Sequence, residues 1–210
     1  HGPKRSILFL HVTGEEKGRR LGIGLILASI PIVIIGLTLG QTVKALLFND
    51  IAIAIGLIVG GLIIIWVEKN PPVVRAQEVD DLTIKDAVWI GLIQVLSLIP
   101  GTSRSGATII GAMMLGVSRK AATEFSFFLG IPVIVGAGLL DLYQSYHVFQ
   151  GATDWAVIAV GLLVSFISAL ILIRVLVAYV AKRDFMIFAW YRIASGLVIL
   201  LFAFTGWKLW

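Results

Sequence analysis

The chain has 210 residues, 59% of them hydrophobic, and a mean hydropathy of +1.00, well above the roughly 45–50% apolar content of an ordinary soluble domain. Most of its apolar runs lack the polar stripe that a water-exposed helix carries at helical spacing, which excludes a soluble fold. The net charge of +5 comes from basic residues placed singly or in pairs beside apolar segments, a pattern of membrane topology rather than of nucleic-acid binding. The absence of cysteine excludes a disulfide framework and a thiolate metal site.

Taken in chain order, residues 1–20 read as a cytoplasmic loop ahead of the first span. They open on His1-Gly2-Pro3-Lys4-Arg5 with no initiator Met, as a piece of a longer chain would. The apolar run at 7–12 is too short for a signal-peptide core. A helix needs about 20 apolar residues to cross the hydrocarbon, and residues 21–40, 51–67, 121–140, 155–180 and 185–206 supply five such spans. The expected fold is an all-α integral membrane protein, a polytopic helical bundle forming a single membrane domain over 1–210.

Lys17, Arg19 and Arg20, then Lys69 and Arg75, then Arg119 and Lys120, and finally Lys182 and Arg183 mark four junctions that the positive-inside rule puts on the cytoplasmic side. The connections at 41–50 and 143–154 hold at most one Lys and are expected outside. Residues 84–117 therefore begin and end on the same side. Interrupted by Pro100-Gly101, they read as a re-entrant helical hairpin with its tip at residues 100–105. Trp66, Trp89, Trp155, Trp190, Trp207, Tyr143 and Tyr146 suit an interfacial aromatic belt. Gly60-Gly61, Gly136 and Gly138 are expected to permit close helix approach.

The tip, Pro100-Gly101-Thr102-Ser103-Arg104-Ser105-Gly106-Ala107-Thr108, carries the chemistry. Backbone that is not helical persists at membrane depth only where protein or a watery cavity satisfies it. A cation there costs at least about 2.5–3.5 kcal/mol and marks a functional site by default. Pro100 and Gly101 end one half-helix; Ser103 or Ser105 can cap the next, whose free amides and dipole favour an anion. Arg104 adds a planar fork suited to phosphate, and Thr108, four residues on, shares its helix face. Phosphate or pyrophosphate matches this donor set. The competing reading has Arg104 snorkelling or pairing with an acid such as Glu124. Glu124 itself reads either as a helix N-terminal acid or as part of the cavity wall. Arg119 pins the boundary or reaches the anion, Arg192 stands deep enough to face the cavity, and Gln94 can hydrogen-bond within the hairpin. His1, His11 and His147 fall in the tail or in loops, and no complete catalytic apparatus is visible.

Through this motif, continued by Gly116-Val117-Ser118-Arg119 and Glu124-Phe125-Ser126-Phe127, the chain resembles the bacterial undecaprenyl-pyrophosphate phosphatase (bacitracin-resistance) family from Leu21 to the Trp190-Tyr191-Arg192 region. The resemblance implies hydrolysis of the terminal phosphate of a C55 isoprenoid pyrophosphate in the bacterial plasma membrane, recycling the lipid carrier of cell-wall synthesis. It further implies an inverted-repeat fold with two re-entrant hairpins. Ser103, Arg104 and Thr108 then match catalytic positions, with Ser105, Gly106, Arg119, Glu124 and Arg192 as substrate-binding neighbours. The family's first hairpin, with its ExxxE-type and PVSSTGH-type motifs, has no counterpart here, so the main carboxylate ligands of an expected Mg2+ or Ca2+ ion belong to a segment this sequence lacks. The expected partners are a polyprenyl pyrophosphate, membrane lipids and a second copy in a homodimer, without nucleic acid. The alternative function is a lipid-phosphate or anion transporter, because broken helices also build transporter sites.

Overall fold

A computed structural model describes residues 4–148 and 151–205. Its seven α-helices are α1 (Lys4–Leu47), α2 (Asp50–Lys69), α3 (Ile84–Gln94), α4 (Arg104–Met114), α5 (Arg119–Ser145), α6 (Ala152–Val180) and α7 (Met186–Thr205), and among the described residues no strand is formed. Glu16–Leu47, Asp50–Lys69, Arg119–Ser145, Trp155–Val180 and Met186–Thr205 are each long and apolar enough to cross a membrane. The chain is thus an all-α polytopic membrane protein, and the five spans fall where the apolar runs placed them. Two boundaries differ. The loop expected before residue 21 is helical from Lys4, because Glu15, Glu16, Lys17, Arg19 and Arg20 are good helix formers that continue the span's register. The connection expected over 41–50 shrinks to Phe48 and Asn49, with the Asn49 side chain accepting from the Ala52 amide at 2.9 Å to cap α2.

The segment at 84–117 folds back on itself. α3 and α4 have 11 residues each, about 16 Å of helix, and neither alone spans a hydrocarbon layer of about 30 Å. α3 tightens into a single-turn 3-10 helix over Val95–Leu98 before the tip. It starts from a capping box in which Thr83 Oγ1 accepts from the Asp86 amide and Asp86 accepts from the Thr83 amide. α1 runs parallel to α3, with Gly24 against Ala87 and Gly91 pressed on the backbone of Ala28. α2 and α7 pack antiparallel: Gly61 meets Ala189 and Ile193, and Gly196 meets Ala54 and Ile58. Gly136 and Gly138, expected to be packing glycines, have nothing within 4 Å of a built Cβ, because they lie on an exposed part of α5. Gly60 accommodates a side chain, Arg192, rather than a helix.

The base of the hairpin is tied down by ions. Arg75 donates from Nε to the Leu115 carbonyl at 2.7 Å and from Nη1 to Asp86 Oδ2 at 3.1 Å, with Nη2 on Asp86 Oδ1. The Asp86 hydrogen bond raises the Arg75 pKa above its ordinary value. Asp81 is pushed below the usual carboxylate range, chiefly by the Glu78 backbone amide. Arg20 reaches the Asp80 carbonyl, Lys120 pairs with Glu78 at 2.9 Å, and Glu68 binds both Arg119 and the Phe185 amide. The four basic junctions therefore gather at one end of the bundle.

Candidate anion site at the hairpin tip

The tip is held against α2 well away from the basic end. Pro100 and Gly101 sit on the backbone of Gly56, and Gly101 on that of Ile53. Twelve residues of α2 separate Gly56 from Glu68, about 18 Å along the helix at 1.5 Å per residue. So close an approach leaves no room for a side chain at Gly101, whose φ of +82° also suits glycine. Ser103 adopts φ +67° as a non-glycine residue, a conformation that costs on the order of 1–3 kcal/mol and clusters at functional sites. Its Oγ accepts from the Gly106 amide at 3.2 Å and its carbonyl from the Ala107 amide at 3.0 Å, so of the two expected candidates it is Ser103 that caps α4. Ser105 Oγ stands 3.4 Å from Ser103 Oγ. The amides of Arg104 and Ser105, first in the helix, have no acceptor within it.

Two guanidinium groups flank this helix start from opposite sides. Arg104 turns toward α3 and α5, donating from Nη1 to the Ser126 carbonyl at 3.3 Å and to Gln94 Oε1 at 3.5 Å, and lies on Gly130. Arg192, 8% exposed, comes from α7 across Gly60. It donates from Nη2 to the carbonyls of Gly101 at 2.8 Å and Gly56 at 3.1 Å, and from Nε to that of Leu57 at 3.4 Å. Its Nη1 lies 3.3 Å from the place a Cβ on Gly106 would take. Among the described residues every acceptor of these two arginines is a neutral oxygen, so no carboxylate there compensates either charge. Arg119 and Arg75 differ, being bound by carboxylates.

The remaining expected residues are placed apart from the donors. The Thr108 hydroxyl is fully buried on the inner side of α4, donating back to the Arg104 carbonyl at 3.0 Å and meeting Ser126 Oγ at 2.6 Å. It shares the Arg104 face, as the spacing required, but joins α4 to α5. Arg119 is not at the tip: its Nε lies 3.0 Å from Glu68 Oε1 at the basic end, the boundary placement among its two readings. Glu124 falls on the helical stripe of Phe128, Ile131 and Val135, all exposed, whereas Arg104 meets the stripe of Ser126 and Gly130. Glu124 therefore neither pairs with Arg104 nor lines its side of the helix. Ser126, Gly130 and Gly60 carry no charge to draw attention in a sequence; the i, i+4 spacing of Ser126 and Gly130 on one face of α5 is the signal that could have found two of them. His1 and Trp207, and the side chain of His11, lie outside the described residues.

Apolar space adjoins the donors. A cavity of about 340 Å³ between α2, α4, α6 and α7 has Ser103, Ser105, Gly106 and Arg192 at a polar end and Leu57, Ile109, Ile110 and Phe188 along its walls. A second, of about 380 Å³ between α2, α3 and α4, shares Gly106 and Arg192. Among the described residues no group of three or more His, Cys, Asp or Glu could hold a metal ion. A tip furnished with two guanidinium groups has the wrong charge to bind a divalent cation alone, so the residues present do not fit the expected Mg2+ or Ca2+.

The fold defines a polytopic membrane protein whose helical hairpin carries two guanidinium groups at its tip, beside apolar space. A family model described as bacitracin resistance protein BacA matches residues 4–198, and the chain belongs to that family. It is 78% identical over 199 residues to undecaprenyl-diphosphatase 1 of Acinetobacter baylyi, covering 95% of this chain and 73% of that protein. It is 55% identical over 196 residues to an undecaprenyl-diphosphatase of Psychrobacter cryohalolentis, covering 91% and 70%. With its counterpart in Variovorax paradoxus the identity is 49% over 197 residues, covering 93% and 72%. The chain thus spans roughly seven-tenths of the length of these relatives.

Proposed function

We propose that this protein hydrolyses undecaprenyl pyrophosphate to undecaprenyl phosphate and inorganic phosphate, in the bacterial plasma membrane, returning the lipid carrier to cell-wall synthesis. The observation that carries the reading is the pair Arg104 and Arg192, both held by neutral oxygens on either side of the α4 start. A pyrophosphate offers the complementary charge. An isoprenoid tail suits the apolar cavity that ends at Ser103 and Arg192.

In this reaction water adds to the terminal phosphorus, the bridging P–O bond breaks, and undecaprenyl phosphate departs with the bridging oxygen. The residues of this chain bind and orient. The amides of Arg104 and Ser105, the Ser103 and Ser105 hydroxyls and the two guanidinium groups oppose the negative charge of the phosphates, and such positioning and charge stabilisation supply most of phosphoryl-transfer catalysis. Mg2+ or Ca2+ is the cofactor that the resemblance implies; the described residues of this chain form no carboxylate cluster to hold it, and their binding and orienting roles are independent of it. The test is product analysis after incubating the purified protein with undecaprenyl pyrophosphate. One phosphate released per undecaprenyl phosphate formed supports hydrolysis. Movement of unchanged lipid across proteoliposomes would instead support the transporter reading.

A further inference from the structure

Gln94 ends α3 beside the tip, is wholly buried, and is used at only one end. Its Oε1 accepts from Arg104, while its Nε2 is the one buried side-chain nitrogen or oxygen among the described residues with no hydrogen-bond partner. Turning the amide over would set N–H groups against the guanidinium, donor to donor, so the oxygen must face Arg104 and the nitrogen must go without. An unsatisfied buried donor is costly and calls for an explanation. A methionine here would remove the orphan. A glutamate would remove it and add an ion pair, the solution this same chain uses for Arg119 with Glu68 and for Arg75 with Asp86. What glutamine alone provides is an acceptor without charge.

We infer that Gln94 is a positioning residue of the anion site: its oxygen orients Arg104, and its neutrality keeps the guanidinium charge free for a phosphate. The inference rests on the pyrophosphate reading of the tip. The Arg104 contacts are long, 3.3 and 3.5 Å, so an anion that draws shorter, charge-assisted bonds displaces them readily. A carboxylate at the same place would compete with the substrate for the arginine.

The experiment compares Gln94→Glu and Gln94→Met in the purified full chain, reading binding of inorganic pyrophosphate by calorimetry and KM and kcat for an isoprenoid pyrophosphate. Gln94→Glu is expected to weaken pyrophosphate binding and raise KM by about tenfold or more, the loss of about one charge-assisted hydrogen bond, with an unchanged or higher melting temperature. Gln94→Met keeps the charge and loses the orientation, so it is expected to bind pyrophosphate within about threefold of wild type and to lose kcat instead. A merely structural Gln94 would make the two variants fail alike, and that result overturns the inference, as would wild-type binding by Gln94→Glu. A wild-type chain that binds no pyrophosphate overturns the underlying reading instead, and is seen before any variant is measured.

Discussion

Gly130 on α5 lies directly against the guanidinium of Arg104, so that a methyl group added there would fall on its Nη2. Gly130→Ala should therefore displace the arginine rather than the helix. Alanine gains up to about 1 kcal/mol over glycine in a helix interior, and a flexible side-chain end yields before backbone does. The expected outcome is an intact or raised melting temperature with at least about tenfold lower kcat/KM. Gly136→Ala, where the space is open, should leave activity unchanged. Equal activity in both variants would contradict the placement of Arg104.

Arg192 grips three backbone carbonyls, of Gly56, Leu57 and Gly101. A lysine keeps the charge but lacks the planar fork. Arg192→Lys is expected to lower kcat/KM by roughly 10- to 100-fold, the loss of one or two charge-assisted hydrogen bonds, in a steady-state phosphate-release assay.

Glu68, its side chain 3% exposed, holds Arg119 and the Phe185 amide and so links α2, α5 and the start of α7. Glu68→Ala would leave Arg119 unpaired and that amide without an acceptor. Breaking a buried pair costs about 3–5 kcal/mol; with Arg119 38% exposed, about 2–3 kcal/mol is expected after solvent screening. The check is the unfolding transition in detergent, where the loss should exceed that of Lys120→Ala, whose pair with Glu78 is exposed on both sides.

Thr108→Val removes the 2.6 Å contact with Ser126 and strands a buried hydroxyl, a destabilisation of about 1–2 kcal/mol. Thr108→Ser keeps the hydroxyl and should retain both stability and turnover. A Thr108→Val variant that melts like the wild type yet is as inactive as Arg104→Ala would show that the threonine hydroxyl acts on the substrate itself.

Much of the fold was legible because lipid leaves few alternatives: apolar runs of span length must be helices, and the basic residues at their ends sort the junctions. The hairpin followed from Pro100-Gly101 and from the shared side of its flanking charges. The site was legible where a residue acts through its own local geometry, as Ser103 does in capping α4. It was not legible where the partner is a backbone atom or an absent side chain. Nothing at Gly60 or Gly130 shows in sequence that an arginine from elsewhere lies on it, and the carbonyls of Gly56 and Gly101 have no signature at all. In the sequence Arg119 reads as a boundary residue that could also reach the anion, and Arg192 as a deep one. Only the fold reveals that Glu68 neutralises one while backbone oxygens leave the other charged.

The central claim is that the uncompensated arginines at the tip hold the pyrophosphate for hydrolysis. Its most direct test is phosphate release from a polyprenyl pyrophosphate by the detergent-purified chain, with Mg2+ or Ca2+ supplied, beside Arg104→Ala of matched melting temperature. The account predicts release by the wild type and its loss in the variant. Release that survives Arg104→Ala undiminished would contradict it.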